Sequence, residues 1–151
     1  MPRKVTLKPQ QSGNVTIIGI SSHLKDYRLC LFLNQALLFN FRKADDFLQH
    51  ENEQDENAYS NFIYTDPESR ATFILISNHH PDKKLIPTQK QTDYFLITQD
   101  ILDENYTNDL ISRIRAVQQV NAAFKIPQTA VRDFEHTLND LEFHLHQIDH
   151  N

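Results

Sequence analysis

Apolar and polar positions alternate along this chain in a way that lays out most of its elements. The segment Asp93-Tyr94-Phe95-Leu96-Ile97 places aromatic and β-branched residues on both alternating faces. That pattern predicts a strand buried on both sides, with an ionisable Asp93 at its mouth. Asn14 to Ile20 predicts an earlier strand, and the hydroxyl of Ser21 or Ser22 is placed to cap the helix that follows. That helix, from His23 to Leu38, is apolar on more than one face, which predicts packing between other elements. Short strands are expected at Leu38–Phe41 and Asp46–Gln49, around a turn at Lys43-Ala44-Asp45, and a polar loop from His50 to Asn57. Tyr59–Thr65 and Ala71–Ser77 flank Asp66-Pro67-Glu68-Ser69 and read as a hairpin.

The C-terminal third has helical periodicity. Thr107 is the expected cap of a helix reaching Phe124, with Leu110, Ile114, Val117 and Phe124 on one face, and Pro127 interrupts the chain. Beyond it Val131, Phe134, Leu138, Leu141, Leu145 and Ile148 recur at spacings of 3, 4, 3, 4 and 3. Such a seam either packs a helix on its own domain or pairs it with a second copy in a homodimer. A strand at Leu141–His146, alternating with period two, is the competing local reading. The fold class expected is α+β: one antiparallel sheet of about five to six strands, packed by an N-terminal helix and two C-terminal helices. Residues 1–13 read as a flexible basic arm or short strand, 14–125 as the α+β domain, and 126–151 as a C-terminal helix able to dimerise.

Composition narrows the chemistry. The only glycines among the 151 residues are Gly13 and Gly19, too few for a P-loop or a dinucleotide-binding turn. Cys30 stands alone, so neither an internal disulfide nor a cysteine zinc site is expected. No secretory signal or membrane-length apolar run is visible, and a cytoplasmic location without a membrane partner follows as the expectation. No cofactor is expected. The net charge of −5 is uneven: eight acidic residues and no Lys or Arg lie between Ala44 and Ser69. That stretch is either a solvated surface or an acidic docking face, and Asp45 and Asp46 are candidate interaction residues within it.

With the elements placed, Ile86-Pro87-Thr88-Gln89-Lys90-Gln91-Thr92-Asp93-Tyr94 resembles the signature of the IPExxxVDY family of small bacterial proteins. Ile20-Ser21-Ser22, Asp26-Tyr27-Arg28-Leu29, Asn34 and Leu75-Ile76-Ser77-Asn78 extend the likeness over most of residues 14–125. Thr88 stands where that signature has Glu, and Thr92 where it has Val. A threonine hydroxyl does not titrate near neutral pH, so Thr88 cannot take an acid–base role at that position. The resemblance implies a small cytoplasmic protein and names no reaction.

Among candidate sites, Asp93 leading into a buried strand requires a partner. Arg28, set in an otherwise apolar helix, is the expected cation, with Arg42 the other candidate. His79-His80-Pro81-Asp82 reads as an exposed turn or, less simply, a general base or metal ligand. His136, Asp140 and His144 share one helical face at a spacing compatible with zinc, which a solvated polar face also produces. Catalytic residues are not identifiable. Three functions are in play. The leading one is a non-enzymatic interaction or scaffold domain. The second is an RNA- or ribosome-associated factor using the basic arm with Arg3, Lys4 and Lys8, the polar loop at Thr88–Gln91, and Lys83, Lys84 and Lys90 around it. The third is a small ligand-binding domain or hydrolase with a pocket near Asp93.

Overall fold

The computed structural model describes residues 15–50, 56–80, 83–100 and 102–149. The basic arm and the middle of the acidic loop lie outside the described residues. The chain is α+β, built on a six-stranded antiparallel sheet with helices on both faces.

The centre of the sheet is β9 (Tyr94–Thr98), every residue of which is buried. It pairs on one side with β1 (Thr16–Ser22) and on the other with β6 (Thr72–Ser77). Beyond β6 come β5 (Asn61–Thr65) and the two-residue β2 (Arg42–Lys43); beyond β1 lies β10 (Val120–Lys125). Period-two alternation divides the apolar residues between two cores. Ile18, Ile20, Phe73, Leu75 and Leu96 face helices α1 (Asp26–Leu37) and α2 (Glu104–Arg115). Ile17, Ile74, Ile76, Phe95 and Ile97 face the opposite way. There they meet the ribbon of β3 (Phe47–His50) and β4 (Glu56–Tyr59), and the helical C-terminus, α3 (Gln128–Val131) and α4 (Glu135–Asp149). A second ribbon, β7 (His79–His80) with β8 (Lys83–Lys84), leads into the Ile86–Tyr94 segment.

Several expectations are corrected. The helix α1 covers only one core: Leu29, Cys30, Leu33 and Leu37 are buried, whereas Tyr27, Leu31 and Leu38 are 62%, 56% and 69% exposed. It starts after Lys25 without a side-chain cap. The Ser22 hydroxyl instead accepts from the Leu24 N–H at 3.2 Å and donates to the Gln119 carbonyl at 2.8 Å. No strand forms at Leu38–Phe41. Leu38 adopts the left-handed conformation (φ 57°) that ends α1, and the Asn34 side chain then takes both main-chain groups of Phe41, at 2.8 and 3.2 Å.

The expected helix to Phe124 stops at Arg115. Its cap is Asp103, whose carboxylate accepts from the Asn105 N–H at 2.7 Å, and Thr107 lies one turn inside. Val120–Lys125 is a strand instead, because the open edge of β1 offers a full ladder of partners. A register shift lies at Ser21/Ser22, where Ser22 pairs with Val120 and Ser21 with Ala122, and it puts Val120 and Ala123, three apart, into the same core. Phe124, expected on one face with Leu110, Ile114 and Val117, packs against the opposite core. The Tyr59–Thr65 run is likewise two strands, broken at Ser60.

The last segment is helical as expected, and the strand alternative at Leu141–His146 is overturned. Val131, Phe134 and Leu141 are buried in the chain's own second core, with Leu138 and Leu145 packed against it. Five of the six seam residues thus pack on the chain's own core, while the sixth, Ile148, lines a groove beside the helix. Cys30 lies in the first core, and burial together with the Asp26 charge pushes its thiol up to about 11. At the outer edge of the sheet the Arg115 guanidinium donates to the Ala123 carbonyl at 2.8 Å.

Candidate functional site

Two regions hold the residues that sequence reasoning singled out. The first is the junction ahead of β9. Asp93 is not paired with Arg28, which is exposed on α1; no ion pair joins them. One Asp93 oxygen accepts from the Ser22 N–H at 2.8 Å, and the other lies 2.7 Å from His79 Nε2. The main chain at position 93 continues the sheet, its N–H donating to the Ile20 carbonyl and its carbonyl accepting from Asn78. It is the segment before α1, and not the helix itself, that is tied to this strand, through Tyr94: the phenol donates to the Leu24 carbonyl at 2.6 Å. Burial, then the charges of Asp26 and Asp93, push that phenol up to about 12. Asp26 itself accepts from the Tyr27 N–H in the first turn of α1.

Asn78 organises the rest of the junction. It is fully buried, and its amide nitrogen donates to the carbonyls of Gln89 (3.0 Å) and Thr92 (2.8 Å). Its amide oxygen accepts from the Ile86 N–H at 2.8 Å, while its main-chain carbonyl accepts from Leu85. Lys84 Nζ donates to the Lys90 carbonyl and the Ser21 hydroxyl to the Gln91 carbonyl. Side chains thus hold four successive carbonyls, Gln89 to Thr92. The polar run is fixed through its backbone. Leu85 and Ile86 are buried in the second core, Pro87 is exposed, and the Thr88 hydroxyl donates to Asp133 at 3.1 Å. Opposite the loop, a side chain at Gly19 would bring its Cβ to 2.9 Å from the Phe124 ring and 3.2 Å from Thr92.

The His79–Asp93 contact orients an imidazole at the surface, with His79 half exposed. It does not reach a nucleophile. The Ser77 hydroxyl is occupied by the main chain of His79, at 3.1 Å to its N–H and 3.3 Å to its carbonyl. Pro81 and Asp82 lie outside the described residues.

The second region lies along α4. A groove of about 570 Å³ runs between α4 and the Asp45–Leu48 segment, lined by Asp45, Asp46, Asp140, Leu48, Phe143 and His144, among others. Phe143 is 64% exposed and Leu48 45% exposed. The Asn61 amide fixes one wall by donating to the Asp45 carbonyl at 2.7 Å. His144 reaches the Asn61 amide oxygen at 3.3 Å and stands edge-on to Phe47. Burial holds this imidazole below its ordinary value, partly offset by Asp45 and Asp46. His136 lies 3.4 Å from Asp140, so the helical His-Asp-His set diverges: one histidine pairs outward and the other turns to the ribbon. Among the described residues no group of three or more His, Cys, Asp and Glu side chains is arranged to hold a metal ion.

Sequence reasoning flagged Asp45 and Asp46 but missed Leu48 and Phe143. Their signal was faint, since each stands beside apolar residues that are themselves buried, Phe47 next to Leu48 and Leu141 two positions before Phe143. Among the described residues no helix is long and apolar enough to cross a membrane. Comparison with protein-family models, curated proteins and solved structures returned no match to this chain.

Proposed function

We propose that this chain is a non-enzymatic protein-interaction domain working through the α4 groove, within the IPExxxVDY family that it resembles. The observation carrying this reading is that exposed Phe143 and Leu48 line one groove together with three carboxylates. A large aromatic left in water beside an aliphatic gains most from a partner that covers both. The other conspicuous residues are committed to structure: Asn78, Asp93 and Tyr94 all make bonds that fix the sheet to its neighbours. The RNA alternative has less support. Lys84 is engaged with the Lys90 carbonyl, and Arg3, Lys4 and Lys8 lie outside the described residues. The hydrolase alternative lacks a relay from Ser77 to the His79 ring.

The reading is tested by affinity capture after crosslinking from the native cytoplasm, comparing the wild-type chain with a Leu48→Ser/Phe143→Ser double variant. A partner retained by the wild type and lost by the double variant is the expected result. Identical retention by both, or salt-sensitive retention of RNA alone, would overturn it.

A further inference from the structure

The groove's lining mixes two chemistries, and that mixture restricts what can sit in it. Asp45, Asp46 and Asp140 line it, with His136 beside Asp140, together with the exposed apolar side chains of Leu48 and Phe143. Among the described residues, one of these carboxylates has a lysine at hand: Lys43 Nζ lies 3.4 Å from Asp46, with both side chains about half exposed. An exposed pair of that kind holds little free energy, so an incoming cation can replace Lys43 at small cost. An acidic partner or a nucleic acid would meet three like charges. A second copy placed face to face would bring both sets of carboxylates together.

We infer that the occupant is a cationic segment of a partner protein carrying a large apolar side chain. The apolar group seats between Leu48 and Phe143, and neighbouring Lys or Arg residues face Asp45, Asp46 and Asp140. The inference rests on the interaction reading above and adds the chemistry of the partner. The carboxylates steer the segment in and the apolar pair retains it.

The test uses three fluorescein-labelled peptides of about four helical turns: one of Leu and Lys with an amphipathic pattern, one with every Lys replaced by Glu, and one with every Leu replaced by Ser. Fluorescence anisotropy against the full chain is expected to show saturable binding of the Leu/Lys peptide only. Affinity should fall roughly tenfold in an Asp45→Asn/Asp46→Asn/Asp140→Asn variant, and fall again as salt rises from about 0.05 to 0.3 M. Leu48→Ser/Phe143→Ser should abolish it. Thermal melting checks that each variant folds, and Asp140→Asn alone, expected to weaken binding by roughly twofold, serves if the triple variant does not.

Four results would overturn the inference: no binding of the Leu/Lys peptide, equal binding of the Leu/Glu peptide, equal binding of the Ser/Lys peptide, or indifference to the Asp→Asn changes. If any of these occurs while the crosslinked partner still requires Leu48 and Phe143, the domain is an interaction domain with a different kind of partner. If that requirement is also absent, both readings fail.

Discussion

Around Asn78, polar groups are buried and engaged; along α4, apolar groups are exposed and uncovered. The first arrangement is stable only as a whole, because each bond that Asn78 makes answers a main-chain group that would otherwise be stranded away from water. The second arrangement contributes little to folding, because Leu48 and Phe143 remain largely in solvent. The contrast separates residues that define a shape from residues that use it. The most distinctive stretch of the sequence, Ile86 to Tyr94, belongs with the first group, and the less conspicuous α4 surface belongs with the second.

The sharpest way to break this contrast is to remove the clamp. Asn78→Ala strands the Ile86 N–H and frees two carbonyls, and should cost about 4 kcal/mol in urea unfolding. The Cys30 thiol, protected in the other core, should then become alkylatable at lower denaturant. A loss within about 0.5 kcal/mol would show that the junction is not the structural hub. Gly19→Ala comes next, at about 1–2 kcal/mol, since its Cβ meets the Phe124 ring and Thr92 at less than comfortable distances. Pairing it with Phe124→Leu should recover most of that loss.

A smaller effect tests the wall of the groove. His144 is held below its ordinary value of 6.5 by burial, so the unfolded chain takes up its proton first as pH falls. The neutral imidazole's contribution to stability is complete above 6.5 and is lost as pH drops through that value towards the lower folded one. His144→Gln should flatten the pH dependence of the melting temperature in that window, leaving any acid limb from Asp66 in place. The Asp66 carboxyl is raised by burial, but bonds from Ser69, Tyr64 and Glu68 outweigh this and hold it low, so its effect belongs to more acid pH. The smallest effect on folding should come from Leu48→Ser/Phe143→Ser, within about 0.5 kcal/mol of the wild type. A large destabilisation there would make the α4 surface part of the core after all.

Local pattern was enough to find β9, β1, the hairpin about Asp66 and the last helix, because each has a period set by neighbours in sequence. It failed where distant residues decide. The Asp93 partners, the Ser22 N–H and His79, are 71 and 14 positions away, and Arg28 was chosen on charge alone. Val120–Phe124 becomes a strand only through its ladder with the distant β1. Asn78 was visible as a residue but not as a clamp, since its side chain's value comes from three main-chain groups brought around it by the fold. Half of the groove was legible: an acidic stretch announces itself in composition, whereas two exposed apolar residues cannot be told by pattern from the buried apolar residues beside them.

The outer edge of the sheet carries one further consequence. Strand β10 ends the sheet on one side, and an uncovered edge of this kind can template pairing between molecules. The Arg115 guanidinium occupies the Ala123 carbonyl there, and Lys125 closes the strand with a charge. At the opposite end β2 is only two residues long. Among the described residues, one border thus has a carbonyl already engaged and a terminal charge, and the other is very short, which lessens what each offers another chain to extend.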